Sequence, residues 1–133
     1  MKSQERVVFF NGEFVKESEA KISIYDSALM FGDMVFEMTR SFNKKQFKLK
    51  EHIQRLLLGV KIFRIPFKYS ADQIEDACYK TIEVNEPLFS DQDEHRLMID
   101  VTRGLLGIYE GINGLENGSN LIIADFPLKW TVS

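Results

Sequence analysis

Cysteine is almost missing from this chain: among 133 residues Cys78 stands alone. One thiol excludes an intrachain disulfide, and such sparing use fits a reducing compartment. No apolar stretch approaches the ~20 residues needed to cross a bilayer. The opening "MKSQERVVFF" lacks the apolar region of a secretory leader. These absences point to a cytoplasmic protein with no membrane partner. Basic blocks are missing too, since 17 Lys and Arg are interspersed with 20 Asp and Glu for a net charge of −3. Without a footprint for a phosphate backbone, nucleic acid is excluded as a partner. His52 and His95 lie far apart and no Cys/His cluster has ligand spacing, so no metal site is expected. The phosphate-binding glycine motifs and the G-x-S-x-G elbow are also absent.

What the chain does have is apolar and aromatic surface. Apolar residues make up 44% and charged residues 28%, which suits one globular domain with a core of ordinary size. Eleven Phe is a high count, and aromatics dominate interfaces as well as cores. Some of this surface is therefore expected to belong to an interface.

The pattern of residues predicts the elements. Residues 6–16 hold two short β-type runs around Asn11-Gly12, a hairpin signal. Residues 21–27 alternate as a strand, with Ile22 and Ile24 on one face, and Asp26 or Ser27 can cap a short helical turn. A strand over 34–42, a turn at 43–45 and a partner strand over 46–50 complete a meander. The period then changes from 2 to 3.6. Residues 51–63 form an amphipathic helix with Ile53, Leu56, Leu57 and Val60 inward, ended by Ile65-Pro66. Ser70 caps a second helix over 71–85, with Ile74, Ala77, Cys78 and Thr81/Ile82 inward. An acidic loop (86–94) leads to a strand over 95–104, a Gly/Asn-rich loop (107–120) and a strand over 120–126. That last strand is nearly all apolar, which predicts burial on both faces. The fold class that follows is α+β: an antiparallel sheet with two main helices packed on one side.

Several residues carry possible chemistry. In the strand 34–42, Met34, Phe36, Met38, Arg40 and Phe42 share a face. Arg40 either rests its stem on apolar neighbours with its head in water, or binds an anion on the floor of a pocket lined by Phe36, Met38 and Phe42. His52, Arg55 and Gly59 share a helix face distinct from the apolar stripe. A mid-helix glycine disfavours the helix by ~1 kcal/mol relative to alanine, so Gly59 marks a close approach of backbone or ligand. Arg55 either pairs with Glu51 one turn away or points at a bound anion. Arg103, at a strand end before Gly104, is a third candidate, beside a plain turn reading. Glu37 and Glu51 form no recognisable carboxylate pair. Lys129, the only lysine after Lys80, reads as a solvated chain end.

Taken in order, "FFNGEFV", "SIYDSALMFGDMVFEMTRSFN", "FKLKEHIQRL" and "VTRG" resemble the amino-terminal domain of fold-type IV pyridoxal-phosphate enzymes. These class IV aminotransferases include branched-chain and D-amino-acid aminotransferases and aminodeoxychorismate lyases. The resemblance runs from about Phe9 to Pro127. It implies that Arg55, in His-x-x-Arg-Leu, contacts the cofactor phosphate, which a planar guanidinium suits. It implies that Phe31 and Phe36 line the substrate pocket, with Met38 reshaping it and Arg40 facing it, and that Arg103 is substrate-binding. Where branched-chain enzymes carry Gly-Ile-Arg this chain has Met38-Thr39-Arg40. The Arg-x-His pair of D-amino-acid enzymes is replaced by Leu105, Leu106, Gly107 and Ile108, which favours a branched-chain-like substrate. The family's cofactor-binding lysine lies in a second, carboxy-terminal domain. Residues 1–128 are thus expected to be the small domain and 129–133 the start of a linker. The chain alone is expected to be inactive and to bind no pyridoxal phosphate. The complete enzyme would be a homodimer acting on amino acids and 2-oxo acids. The rival expectations are an aminodeoxychorismate-lyase-like enzyme and a stand-alone binding or dimerisation module.

Overall fold

Asn11 and Gly12 both take positive φ, 52° and 96°, which is the backbone of a two-residue turn matched to strand twist. They join β1 (Val7–Phe10) to β2 (Glu13–Lys16). A computed structural model describes residues 5–109 and 118–129. After the hairpin come α1 (Ser27–Phe31), β3 (Met34–Phe42), β4 (Lys45–Gln46), α2 (Leu49–Ile62), α3 (Ala71–Asn85), β5 (His95–Thr102) and β6 (Asn120–Pro127). The six strands form one sheet in the order β2-β1-β6-β5-β3-β4, with every neighbouring pair antiparallel. The expected α+β architecture is therefore what the chain adopts.

The helices cover one face of that sheet. Leu49, Ile53, Leu56 and Val60 of α2 and Ile74, Ala77 and Cys78 of α3 pack on Phe9, Leu97, Ile99, Val101, Leu121 and Ile123. Ser70 accepts from the Gln73 amide while the Gln73 side chain accepts from the Ser70 amide, a reciprocal cap that starts α3 where predicted.

Three expectations need correction. Residues 21–27 form no strand: Ile22 and Ile24 are exposed, and only Asp26 makes a bridge, to Leu105. An alternating pattern needs a partner strand, and none lies beside it. The partner strand expected over 46–50 stops at Gln46, because Lys48 turns left-handed (φ 55°) and α2 begins at Leu49. Finally, β6 is buried on one face, through Leu121, Ile123, Asp125 and Pro127, while Ile122, Ala124 and Phe126 are half-buried. At the start of that second face, Asn120 donates to Asp26, the cap of α1. The loop expected over 107–120 begins with a helical turn (Gly107–Tyr109), and residues 110–117 lie outside the described residues.

Candidate cofactor and substrate site

β3 organises the site because its two faces have opposite surroundings. Glu37, Thr39 and Ser41 are buried beneath the helices, whereas Phe36 is 60% exposed and Phe42 is also exposed. The more apolar face of the strand is thus the open one. On its outer side β3 pairs with β4 only through Ser41 and Phe42. Residues 34–39 therefore form a sheet edge with no neighbouring strand among the described residues.

From the covered side, α2 delivers Arg55 and His52 to that edge. Helical spacing puts residues 52, 55 and 59 on one face, and that face meets Val35 and Glu37. A Cβ on Gly59 would stand 3.0 Å from Val35 Cγ1. The close approach expected at Gly59 is real, but the approaching group is Val35, so no space for an anion lies above the glycine. Glu37 is 7% exposed and accepts from Arg55 Nε (2.7 Å) and Nη2 (2.8 Å), with His52 Nδ1 2.7 Å from the same carboxylate. Arg55 therefore pairs with Glu37 and not with Glu51. The Arg55 fork holds the Glu37 carboxyl below its usual range, aided by His52, although burial opposes the shift. The Arg55 side chain remains 71% exposed. Glu37 consumes one side of the guanidinium and so fixes its orientation, leaving Nη1 to face outward.

From the open side come Phe36, Met38 and Arg40. Register sets Met38 opposite Met98 and Arg40 opposite Arg96. The Arg40 guanidinium lies 3.7 Å over the Phe42 ring and its Nε donates to the Ser41 carbonyl, so its stem and head both rest on β3. Phe31 is exposed at the end of α1, which Asp26 caps and Gly32 closes in a left-handed turn. Arg103 is otherwise engaged. It donates from Nε to Asp33, from Nη1 to the Arg64 carbonyl and from Nη2 to the Phe63 carbonyl, tying β5 to the end of α2. The structure thus gathers Arg55, Phe36, Met38 and Arg40 around one strand edge, from its two faces, and sets Arg103 in a staple.

Glu37 is the residue that sequence reasoning missed. Its signal was an acid in mid-strand followed by His-x-x-Arg on the next helix. Asp100 was missed as well. It lies on the open face, with Phe36 of β3 and Ile122 of β6 directly opposite, and burial pushes its carboxyl up to about 6. A cleft of about 410 Å³ lies elsewhere, lined among others by Phe10, Asn11, Lys21, Asp26 and Asn120. Its polar floor is already paired internally, since Asn120 donates to Asp26 and Asn11 donates to Asn120. The β3 edge, with an outward guanidinium, is the better candidate for a ligand site.

A family model for class IV amino-transferases matches residues 34–131, an interval that contains the whole β3 edge and the Arg55 clamp. The chain belongs to the class IV aminotransferases. Among curated relatives, the D-alanine aminotransferase of Staphylococcus aureus is 33% identical over 98 residues, covering 74% of this chain and 33% of that enzyme. Among solved structures, the branched-chain amino acid aminotransferase of Escherichia coli superposes with a TM-score of 0.76 at 29% identity. That match covers 93% of this chain and 40% of that one. The branched-chain aminotransferase of Thermoproteus uzoniensis, solved with norvaline, gives 0.76 at 26% identity, covering 93% and 41%. This class IV chain therefore spans well under half the length of the relatives it matches. Among the described residues, no helix is long and apolar enough to cross a membrane and no group of His, Cys, Asp and Glu could hold a metal ion.

Proposed function

We propose that this chain is the small amino-terminal domain of a pyridoxal-phosphate aminotransferase acting on amino acids and 2-oxo acids, with a branched-chain-like pocket. The observation that carries the reading is the Arg55 guanidinium, held by buried Glu37 at a sheet edge beside exposed Phe36. Pyridoxal phosphate is the cofactor that family membership implies, and the donor set fits its phosphate, because Arg55 keeps an outward Nη1 while Glu37 and His52 hold the side chain. When bound, that cofactor supplies the electron sink that lets the amino group move between carbon skeletons. Phe31, Phe36 and Met38 exclude water and pack the substrate side chain, and Arg40 supplies positive charge at the far end of that wall. Arg103 is then a positioning residue that fixes the α1–β3 turn carrying Phe31. The Met38–Met98–Ala124 row on the open face supports an aliphatic substrate.

Lys129 Nζ pairs with Asp93 at 2.9 Å and is not taken as the covalent anchor, a lysine that the family carries elsewhere. That lysine belongs to a second domain, which with a dimer mate would cover the exposed aromatics. Residues 1–128 are the small domain in this reading, and the 133-residue chain alone is inactive and cofactor-free. A lyase of the aminodeoxychorismate type and a non-catalytic module are the rivals. The test uses the complete polypeptide isolated from its source. Its intact mass comes first, followed by cofactor affinity of the native protein and of Arg55→Leu. A mass near twice 15.5 kDa or more, with affinity weakened about 10- to 100-fold by loss of a charge-assisted contact, is expected. A 15.5 kDa polypeptide, or unchanged affinity, overturns the reading.

A further inference from the structure

We propose that Asp100 selects substrates whose aliphatic side chain ends in a cationic group, such as a primary ammonium. The inference rests on the aminotransferase reading and names the substrate class of the same site. Asp100 sits in the middle of β5 on the open face, one strand in from the β3 edge, a spacing of about 4.8 Å. Its neighbours across the sheet are Phe36 and Ile122, and Phe10 extends the same row through β1. Along β5, Met98 and Thr102 share its face. The carboxylate thus has large apolar side chains on both sides of it in this row, the next acid being Glu13 at the far edge, on β2.

Among the described residues, no hydrogen-bond donor or cation neutralises it. The upward pull on its carboxyl comes from burial alone, with neither a hydrogen bond nor an opposite charge offsetting it. The cations on the same face, Arg40 and Arg96, stand four residues farther along their strands, about 13 Å at ~3.3 Å per residue. An ion in a partly dehydrated apolar wall attracts a counter-ion more strongly than one in water, and it disfavours both an anionic and a purely hydrocarbon tip. A substrate stem would lie on Phe36 and the Met38–Met98 row, with its ammonium on Asp100. The branched-chain-like pocket and this assignment agree on an aliphatic stem and differ at its tip. A carboxylate-tipped side chain such as that of glutamate would be repelled.

The test compares 5-aminopentanoate with pentanoate, using the pyridoxamine-phosphate form of the cofactor, which has no aldehyde with which the amine of 5-aminopentanoate could condense. Their affinities for the complete holoenzyme are measured by calorimetry at neutral pH, for the native protein, Asp100→Asn and Asp100→Glu. Native protein should prefer 5-aminopentanoate, and Asp100→Asn should shrink that preference about 10- to 100-fold. Asp100→Glu, which keeps the charge, should retain most of it, so that a general disturbance of the wall is told apart from loss of the carboxylate. A preference that Asp100→Asn leaves unchanged, or a native preference for pentanoate, overturns the assignment. Cofactor uptake, read from the absorption spectrum of the same samples, decides the aminotransferase reading separately. Uptake with unmoved selectivity removes Asp100 alone, and selectivity that tracks Asp100 without uptake removes the aminotransferase.

Discussion

His52 and His95 each sit against carboxylates on the helix-covered face of the sheet, yet the two clusters serve different ends. His52, with Arg55, holds Glu37 at the sheet edge, and the cation that completes the cluster is mostly in solvent. His95 is 1% exposed, with Nδ1 2.8 Å from the equally buried Asp125, Nε2 on Glu86, and Phe89 stacked on its ring. Lys44 joins Glu86 from outside, which balances two carboxylates with two cations. One cluster is closed on itself. The other has a donor left over. The same residue types thus make a structural lock where every valence is internal and, in the function proposed above, a ligand handle where one guanidinium edge faces out.

The largest effect that separates them should come from breaking the lock. Asp125→Ala leaves buried His95 without its one buried carboxylate partner, a change that destabilises by about 3–5 kcal/mol. Denaturant unfolding of the complete protein should show that loss. Among molecules that remain folded, cofactor affinity should not move. A fall in affinity would mean the clusters are coupled and the division drawn above is wrong.

Arg55→Leu is the converse experiment. It should weaken cofactor binding about 10- to 100-fold and lower stability less than Asp125→Ala does, because buried Glu37 loses one partner but keeps His52. Glu37→Gln should give a smaller loss in the same direction, since the amide still fills the site but no longer fixes the fork. Equal effects of Arg55→Leu and Glu37→Gln would make Glu37 as important as the phosphate contact itself.

Acidity should part the clusters more gently. Glu37 has a folded pKa below its ordinary 4.5, so its stabilisation is complete above 4.5 and is lost as pH falls through the lower folded value. His95 runs the other way. Burial opposes its charge, but Asp125 and Glu86 together raise its folded pKa above the ordinary 6.5. Its contribution is therefore complete below 6.5 and is lost as pH rises through the folded value. Unfolding free energy measured against pH should fall on the alkaline side in the native protein. His95→Gln should flatten that alkaline limb while leaving the acid limb intact.

Much of this fold was legible from local pattern. The strand over 34–42 and the Ser70-capped helix over 71–85 fall at the bounds predicted, because period and cap chemistry are written in adjacent residues. What pattern could not give was which sheet face is covered. In β3 the face bearing Met34, Phe36 and Met38 is the open one, while Glu37, Thr39 and Ser41 lie under the helices. Polar groups can be buried there because they are satisfied: Thr39 donates to Gln46 and Ser41 to Glu94. Gln46 lies across the β3–β4 turn and Glu94 lies 53 residues from Ser41. Arg55 lies 18 residues from Glu37, and Asp125 lies 30 from His95, so neither cluster shows in any local window. The family resemblance, not the alternation, pointed to an open face.

The smallest expected effect tests whether the handle depends on how closely α2 lies against β3. Alanine at 59 would favour the helix by up to ~1 kcal/mol, but its methyl would meet Val35 Cγ1 at 3.0 Å. Val35 is β-branched and anchored in the strand, so it yields little. The helix must therefore shift outward by a few tenths of an ångström, which lengthens the Arg55–Glu37 contacts without touching His95. Gly59→Ala should leave stability within about 1 kcal/mol of the native protein, the helix gain offsetting the crowding. It should also weaken cofactor binding by a few-fold. Adding Val35→Ala removes the crowding group and should restore the affinity, whatever it does to stability. Affinity that Gly59→Ala leaves untouched would show that Arg55 finds the phosphate without help from its seat on Glu37, and the orienting role given to that carboxylate would fall.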